Sequence, residues 1–569
     1  MNEYIAPLRD MRFVLQELAD IDGINKLPGY DDVTPDFVDS VLEEASKFAS
    51  GVLSPINRSG DVEGAKILDG NVVMPSGWRE AYKSFSEAGW NSLSTPAEEG
   101  GQGLPQLVAS FVDEMWHSAN VAFALCPMLG SGAITVLMKH GSNYLKKHYL
   151  PKLVSGEWAG TMVLTEPQAG SDLAAVRTSA IRQADGTYRL HGQKIFITYG
   201  EHDLTPNIGH LVLARAKDAP GGTKGISLFF VPKILVNPDD SLGDRNDIRC
   251  VSLEHKLGIH ASPTCVLAFG DNDGAVGYLI GDENRGLEYM FVMMNAARFA
   301  VGLQGLSLSE RAYQCAVSYA RERIQGTDLG QRVPIIRHPD VRRMLLSMKS
   351  RIEGMRALSG VVAAAMDKAN SHPELAIRES NQALVDLMMP VIKGWFTENG
   401  VEITSLAIQV HGGMGFIEET GVAQHLRDAR ITTIYEGTTG IQAADLVGRK
   451  VAREQGRTVQ VILGQMRELQ KELVELAKPE LIEIAQALGD GIKALDEATA
   501  FVTTQYGHDP KRVHAGAVPY MELLGIVSAG WQMARAALAS FRNIVSGKGD
   551  TDFYQTKIHT FPGHWFRRT

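Results

Sequence analysis

The spacing of the apolar residues changes twice along this chain, and the changes separate three kinds of structure. From residue 36 to about residue 156, apolar residues recur at three- and four-residue intervals, as they do in amphipathic helices. Between about 160 and 271 the pattern becomes short β-branched and aromatic runs, separated by clusters of Gly, Pro and Asp. Helical spacing returns from residue 286. A β-rich unit between helical units is therefore expected.

The β-rich region shows no alternation of strands with helices. Its predicted strands lie at 188–190, 194–198, 211–215, 226–231 and 265–269. Because a doubly wound sheet needs a helix between successive strands, this pattern argues against a Rossmann-type domain. A small sandwich or barrel is predicted instead.

The helical regions are predicted from apolar spacing and from breaks in it. One long helix is expected from 286 to about 323, a long loop at 326–340, and more helices to about 450. Further helical segments follow at 468–476, 482–500 and 523–541. The apolar run from Val121 to Met138, which Pro127 interrupts, is slightly short for a membrane span and is predicted to form a buried helix pair.

Composition limits the classes of function. The chain has 569 residues, which exceeds the size of one hydrophobic core, so three or more packed units are expected. A net charge of −10 argues against a general nucleic-acid binder. The four cysteines are scattered without metal-ligand spacing, so no metal site and reduced thiols in the cytoplasm are expected. The first residues lack the features of a signal or transit peptide, and no transmembrane segment is predicted.

Four separated blocks carry the chemical signal. One carboxylate, Glu436, lies in the run Ile-Tyr-Glu-Gly-Thr-Thr-Gly-Ile-Gln at 434–442. The other blocks are Leu-Thr-Glu-Pro-Gln-Ala-Gly-Ser-Asp at 164–172, Gln-Val-His-Gly-Gly-Met-Gly-Phe at 409–416, and Arg427-Asp428. Their kind and order resemble the acyl-CoA dehydrogenase family. The resemblance covers about residues 36–450, and the segments at 207–216 and 222–233 and the tail resemble its long bacterial branch, which includes 3-methylmercaptopropionyl-CoA dehydrogenases.

The resemblance implies an α+β multidomain fold. It implies an N-terminal leader at 1–37, a helical domain at 38–158, a β-barrel at 159–275, a four-helix bundle at 282–450 and an additional helical domain at 455–569. It also implies a homodimer, because relatives that carry the additional domain cover with it the surface through which others form tetramers.

The resemblance further implies that the chain binds FAD and oxidises an acyl-CoA to the trans-2-enoyl-CoA. Glu436 would remove the α-proton while N5 of FAD accepts the β-hydride, with Tyr435 and Gly437 beside the substrate. Some relatives carry this Glu at the position of Ala297, where no carboxylate is present here. Burial by the entering acyl chain should raise the pKa of Glu436 towards the working pH.

The resemblance assigns the barrel contacts with FAD to four residues. Thr165 and Ser171 would bind the flavin, Ser171 also the substrate, and Thr198 would bond N5. Phe196 would pack on the flavin where the family usually has Trp, and Tyr199 replaces a usual Asn. A core position for Phe196 remains the alternative.

Two arginines and a glycine-rich segment complete the implied site. Arg298 would lie near the substrate, and Arg323 would reach the FAD pyrophosphate of a neighbouring subunit; surface ion pairs are the alternative for both. Residues 409–415 would approach the neighbouring subunit's FAD. The additional implied FAD contacts in this group are Gln409, Gly412, Gly413 and Thr438. The glycine-rich loop at 96–105 is better explained as a turn between helices than as a phosphate loop.

Several alternatives remain open at the level of sequence. The acyl group could be 3-methylmercaptopropionyl or a short, medium or long fatty acyl chain. The expected electron acceptor is an electron-transfer flavoprotein, whereas an acyl-CoA oxidase would use oxygen. A DNA-associated protein of the same fold is the alternative from another class, and the balanced charge after Lys450 argues against it.

Overall fold

The computed structural model describes residues 3–560, which fall into two units. Within the described residues, the first unit comprises residues 3–50, 105–118 and 298–560. The second comprises Gly51–Leu104 and Ala119–Ala297. Two long helices, Gln106–His140 and Gly286–Glu322, have residues in both units.

The second unit is built on a closed ring of five β-strands. In order around the ring they are Tyr188–Thr198, Ala275–Ile280, Ser227–Pro232, Ile208–Ala216 and Ser179–Arg182, and the last pairs again with the first. Since each ring strand has neighbours on both sides, the ring has no open edge. The predicted β-barrel is confirmed.

Three more strands extend this sheet. Ala159–Val163 runs parallel to Ile208–Ala216, whereas Thr264–Phe269 pairs antiparallel with Tyr188–Thr198 and then with Ile248–Leu253. The sheet continues past residue 275, because Ala275–Ile280 is a ring strand. Two small hairpins join Lys66–Leu68 to Asn71–Val73, and Ile234–Val236 to Leu242–Arg245.

Ser227–Pro232 shows why some strands of this barrel are apolar throughout. Phe229 and Val231 pack in the barrel core, whereas Leu228 and Phe230 pack in a second core that contains helical residues of the same unit. A strand buried on both faces has no polar side, so its sequence does not alternate. The other helices of this unit are Ser54–Glu63, Trp78–Glu87, Asn143–His148 and Leu150–Val154.

The first unit is helical. Its N-terminal helices, including a π-helical segment, are Leu8–Phe13, Val14–Leu18, Ile21–Ile24 and Pro35–Phe48. Its central helices are Pro339–Ser371, Leu375–His411, Val422–Ala429 and Thr439–Asp445. Its C-terminal helices are Arg457–Glu475, Pro479–Gln505, Pro510–Ala515, Ala517–Val545 and Thr551–Thr560. These include the helical segments predicted after Lys450.

Charged side chains are buried in the first unit. The guanidinium of Arg356 donates to Glu114 at 2.6 and 2.9 Å and to Glu310 at 2.7 Å. Nearby, Lys557 of the last described helix forms ion pairs with Asp10 and, at 2.9 Å, with Glu353. These ion pairs join the first and last helices of the unit to its centre.

Two predictions about strands are wrong. The runs at 188–190 and 194–198 belong to one strand, which continues through Gly192 at φ +155°. The predicted loop at 326–340 contains a hairpin of Ile324–Asp328 with Gln331–Pro334. Both strands are largely exposed, so their sequence lacks the apolar alternation that identifies a half-buried strand.

The predicted helix pair at Val121 to Met138 is also wrong. Gln106–His140 is continuous through Pro127, and its one break in helical geometry lies at Asn120, with φ −160° and ψ 89°. By length and composition this helix could cross a membrane, but 67% of its most apolar 18-residue stretch is buried in the protein. A buried core helix satisfies the same criteria.

Candidate active site

Glu436 lies in a tight turn between two short helical segments. Residues Arg430–Thr433 form a 3₁₀ turn before it, and Thr439–Asp445 begins three residues after it. Glu436 has φ +56° and Gly437 has φ +92°, so two consecutive residues adopt left-handed conformations. For a residue with a Cβ this conformation is unfavourable, and such strain concentrates at functional sites.

Hydrogen bonds from two helices hold the backbone of this turn. The buried ammonium of Lys393 donates to the carbonyl oxygen of Gly437 at 2.6 Å. The side-chain amide of Gln442 donates to the carbonyl oxygen of Glu436 at 3.0 Å. The hydroxyl of Thr438 accepts from the N–H of Ile441 at 3.4 Å and so caps the helix that follows. These bonds offset the strain of the turn.

The neighbouring aromatic residue is also fixed. The hydroxyl of Tyr435 donates to the side-chain oxygen of Gln304 on the long helix Gly286–Glu322. Burial raises the pKa of Tyr435 well above its ordinary value, and the nearby carboxylates of Glu436 and Asp428 raise it further. Tyr435 therefore stays neutral at physiological pH.

The environment of Glu436 suits a base that must gain and lose a proton. Burial raises the pKa of its carboxyl group to about 7, although Arg298 and Lys393 favour the charged form and lower it. Part of the residue remains accessible to solvent. A general base is most effective when its pKa lies near the operating pH.

The structure brings Arg298 close to this carboxylate. Arg298 is 9% exposed, so the alternative of a surface ion pair is wrong. Burial lowers the pKa of its guanidinium, while Asp445 and Glu436 raise it. The sequence-based prediction missed Lys393, Gln304 and Gln442. A lysine within the apolar run at 391–396 was the available signal, because lysine is rarely fully buried without a partner.

In the second unit, residues 164–172 follow the strand Ala159–Val163. Glu166 anchors the segment: it accepts from Thr178 N–H at 3.0 Å and pairs with Lys194 at 2.9 Å. Burial alone would raise the pKa of Glu166, but Lys194 and the hydrogen bonds lower it to about 2. Thr165 is half-buried and Ser171 is exposed on the anchored segment.

Phe196 and Thr198 lie on the strand Tyr188–Thr198. Phe196 has φ +60° and is 59% exposed, so the alternative of a core position is wrong. Thr198 is half-buried, and the hydroxyl of buried Tyr199 donates to the carbonyl oxygen of Ala122 at 2.7 Å. An aromatic ring that projects from an anchored barrel strand fits a planar ring system such as a flavin.

The remaining predicted residues lie in the first unit. Arg323 and Gln409 are exposed, and Arg323 directly follows the end of Gly286–Glu322. Gly412, at φ +60°, ends the helix Leu375–His411, and a Cβ on Gly412 or Gly413 would meet no atom within 4 Å. Open backbone and an exposed guanidinium are groups that can bind phosphate.

Comparison with known proteins identifies the family. Family models match in sequence order: "Acyl-CoA dehydrogenase, N-terminal domain" at 39–157, "middle domain" at 161–272 and "C-terminal domain" at 284–451. A fourth, "Acetyl-CoA dehydrogenase C-terminal like", matches 462–565. The 3-methylmercaptopropionyl-CoA dehydrogenase of Ruegeria pomeroyi is 48% identical over 98% of this chain and 94% of its own. The chain belongs to the acyl-CoA dehydrogenase family.

Other acyl-CoA dehydrogenases agree over nearly the whole length. The broad-specificity linear acyl-CoA dehydrogenase FadE5 of Mycobacterium tuberculosis is 34% identical over 98% of this chain and 94% of its own. The crystal structure of an acyl-CoA dehydrogenase complexed with FAD from Bacillus anthracis shares the fold, with a TM-score of 0.74 and 21% identity. The matched region covers 96% of this chain and 88% of the Bacillus anthracis chain. The chain is an oxidoreductase of this family. The exact boundaries of the five predicted segments stay a prediction.

Proposed function

We propose that the protein oxidises the α,β-carbon bond of an acyl-CoA to the trans-2-enoyl-CoA, with Glu436 as the base. The observation that supports this role is the left-handed turn at Glu436 and Gly437, in which neighbouring helices hold the backbone of the carboxylate-bearing residue. A rigid carboxylate with a pKa of about 7 can accept a proton and release it again.

The chain's own groups bind, orient and move one proton. The ionised carboxylate of Glu436 takes the α-proton of the thioester and becomes a neutral acid. Its backbone N–H would hold the thioester carbonyl oxygen, where negative charge develops, as in the family. Tyr435 and Gly437 border the acyl group, Arg298 maintains positive charge near the carboxylate, and Ser171 contacts the substrate. FAD, when bound, accepts the β-hydride and thus the two electrons.

Two groups of residues are proposed to bind FAD. Thr165, Ser171, Phe196 and Thr198 would form the flavin side, because they lie on an anchored segment and an adjoining barrel strand. Arg323, Gln409, Gly412, Gly413 and Thr438 would bind the adenosine-diphosphate part. The exposed guanidinium of Arg323 suits a pyrophosphate.

The favoured substrate is 3-methylmercaptopropionyl-CoA, since the relative of that name is 48% identical over nearly the full chain. The test is a panel of acyl-CoAs from four to sixteen carbons plus 3-methylmercaptopropionyl-CoA, assayed by flavin bleaching. The sulfur compound and unbranched acyl chains of about the same length are expected to show the highest kcat/KM. A clear preference for long chains would contradict this substrate.

The same panel run with oxygen and with a ferrocenium acceptor distinguishes an oxidase from an enzyme that uses an electron-transfer flavoprotein, which we propose as the partner.

We further propose a cytoplasmic homodimer in which Arg323 and the 409–415 segment of one subunit contact the FAD of the other. Met414 and Phe416 support an interface there, because both are large apolar side chains exposed to solvent and Phe416 is 86% exposed. Light scattering of the holoenzyme should give the mass of a dimer, and a stable tetramer would contradict it.

Arg323→Ala is expected to weaken FAD retention, because it removes a guanidinium from the pyrophosphate. Flavin released on dilution measures the effect. The matched control is Arg321→Ala, which removes another exposed arginine of the same helix end and should retain FAD like the wild type. Equal FAD retention in Arg323→Ala and wild type would show that the assigned contact is wrong.

A further inference from the structure

Lys393 is a buried cation close to the proposed base. It lies within the helix Leu375–His411, and its residue is 0% exposed. Its ammonium donates at 2.6 Å to the carbonyl oxygen of Gly437, 44 residues along the chain. An ammonium in such a position loses its hydration, so protein groups must compensate for that loss.

The hydrogen bond from Lys393 is made to the turn that contains the proposed base. Gly437 directly follows Glu436, and both residues have positive φ. The bond from Gln442 to the Glu436 carbonyl holds the peptide group after Glu436, and the bond from Lys393 to the Gly437 carbonyl holds the next peptide group. Together the two bonds fix the backbone of the turn directly after Glu436. A lysine that only joined two helices would not need to bind this carbonyl.

We propose that Lys393 is the positioning residue of Glu436: its ammonium fixes the left-handed turn and supplies the positive charge that keeps the carboxylate ionised. This inference rests on the proposed role of Glu436 as the base. Lys393 itself need not touch the substrate. It acts on the backbone and on the charge of Glu436.

The charges around the pair agree with this role. Arg298 and Lys393 approach Glu436 from two different helices, and both lower its pKa. Burial lowers the pKa of Lys393 to about 8, while Glu436 and Glu398 raise it and Arg298 lowers it. The other charged or titratable groups that interact electrostatically with this cluster are Tyr435, Asp428, Asp445 and Arg449. The ammonium and the carboxylate thus stabilise each other's charged forms.

The test is the pH dependence of kcat/KM. In the wild type the activity should fall below about pH 7, where Glu436 becomes protonated. In Lys393→Met the carboxylate loses a positive neighbour, so its pKa should rise and the acidic limb should move up by roughly one pH unit or more. The looser turn should also lower kcat by about tenfold or more, because small misplacements of reacting groups are costly.

Lys393→Arg retains the positive charge and is expected to restore the acidic limb to its wild-type position, even if kcat stays lower. The matched control is Lys557→Met, which removes another buried lysine, paired with Asp10 and Glu353. Its acidic limb should not move. If Lys393→Met does not fold, Lys393→Gln tests the same loss of charge.

A second readout separates this inference from the proposed function. The ionisation of Glu436 can be followed without substrate as the infrared carboxyl band that is lost in Glu436→Gln. An upward shift of that titration in Lys393→Met supports the role of Lys393, and an unchanged titration overturns it. A wild-type enzyme that oxidises no acyl-CoA would instead overturn the proposed function, whatever the infrared titration shows.

Discussion

Glu436→Gln is expected to lower kcat by ~10²–10⁴-fold, because the loss of a general base typically costs that much. The amide has nearly the shape of the carboxyl group but cannot take the α-proton. The Glu436→Gln variant should keep the left-handed turn, since the bonds from Lys393 and Gln442 go to backbone carbonyls and not to the side chain of residue 436. FAD content and acyl-CoA affinity should therefore stay close to those of the wild type.

Glu398→Gln is the matched control for this variant. Glu398 is an exposed carboxylate near the same turn, where it accepts a 2.5 Å hydrogen bond from Thr439. Its replacement should leave most of the activity. Stopped-flow reduction of the flavin measures the chemical step in each variant. A Glu436→Gln enzyme that retains more than about a tenth of the wild-type rate would exclude Glu436 as the base.

Arg356→Met is expected to destabilise the first unit by about 3–5 kcal/mol, as the removal of one partner from a buried ion pair usually does. Arg356 and Glu114 are each 1% exposed, and the same guanidinium also bonds Glu310. Without it, two buried carboxylates lose the cation between them. Even with Arg356 present, burial keeps the pKa of Glu114 above its ordinary value.

The effect of Arg356→Met should depend on pH. Carboxylates whose folded pKa is raised above the unfolded value cost stability as pH rises through that range, and the cost disappears when they are protonated. The deficit should therefore be larger at pH 8 than at pH 5. Urea unfolding at both values measures it.

Arg351→Met is the comparison, because its partner Glu402 is 57% exposed and can return to water. The loss of unfolding free energy in Arg351→Met should be clearly smaller than that in Arg356→Met. Equal losses for the two variants would mean that the buried pairing of Arg356 is not the source of the effect.

Sequence predicted those elements whose side chains have one clear environment. The helix Gly286–Glu322 and the barrel strands Ile208–Ala216 and Ser227–Pro232 were recognisable because their apolar residues follow from burial. The ring strands Ser179–Arg182 and Ala275–Ile280 were not predicted. The hairpin at Ile324–Pro334 was not, because its residues are exposed and rich in turn-forming types. Gly192 made one strand look like two, since glycine usually marks an end or a bulge.

The candidate site shows the same limit. The motif around Glu436 could be read in the sequence because its residues are adjacent. Lys393 and Gln304 could not be assigned in that way: one is 44 and the other 131 residues from the position it contacts. Which distant side chain reaches a given carbonyl depends on how the long helices pack. That packing is a property of the three-dimensional structure.

The ion pair between Asp10 and Lys557 has a consequence for biosynthesis. The two residues are 547 positions apart. Phe13 and Phe553 meet in the same region, with ring centroids 5.8 Å apart. At translation rates of about 5–20 residues per second, the first helix waits roughly half a minute to two minutes before its partner leaves the ribosome. During that interval Phe13 lacks the ring that later covers it, so the nascent chain offers a hydrophobic site to which a chaperone can bind.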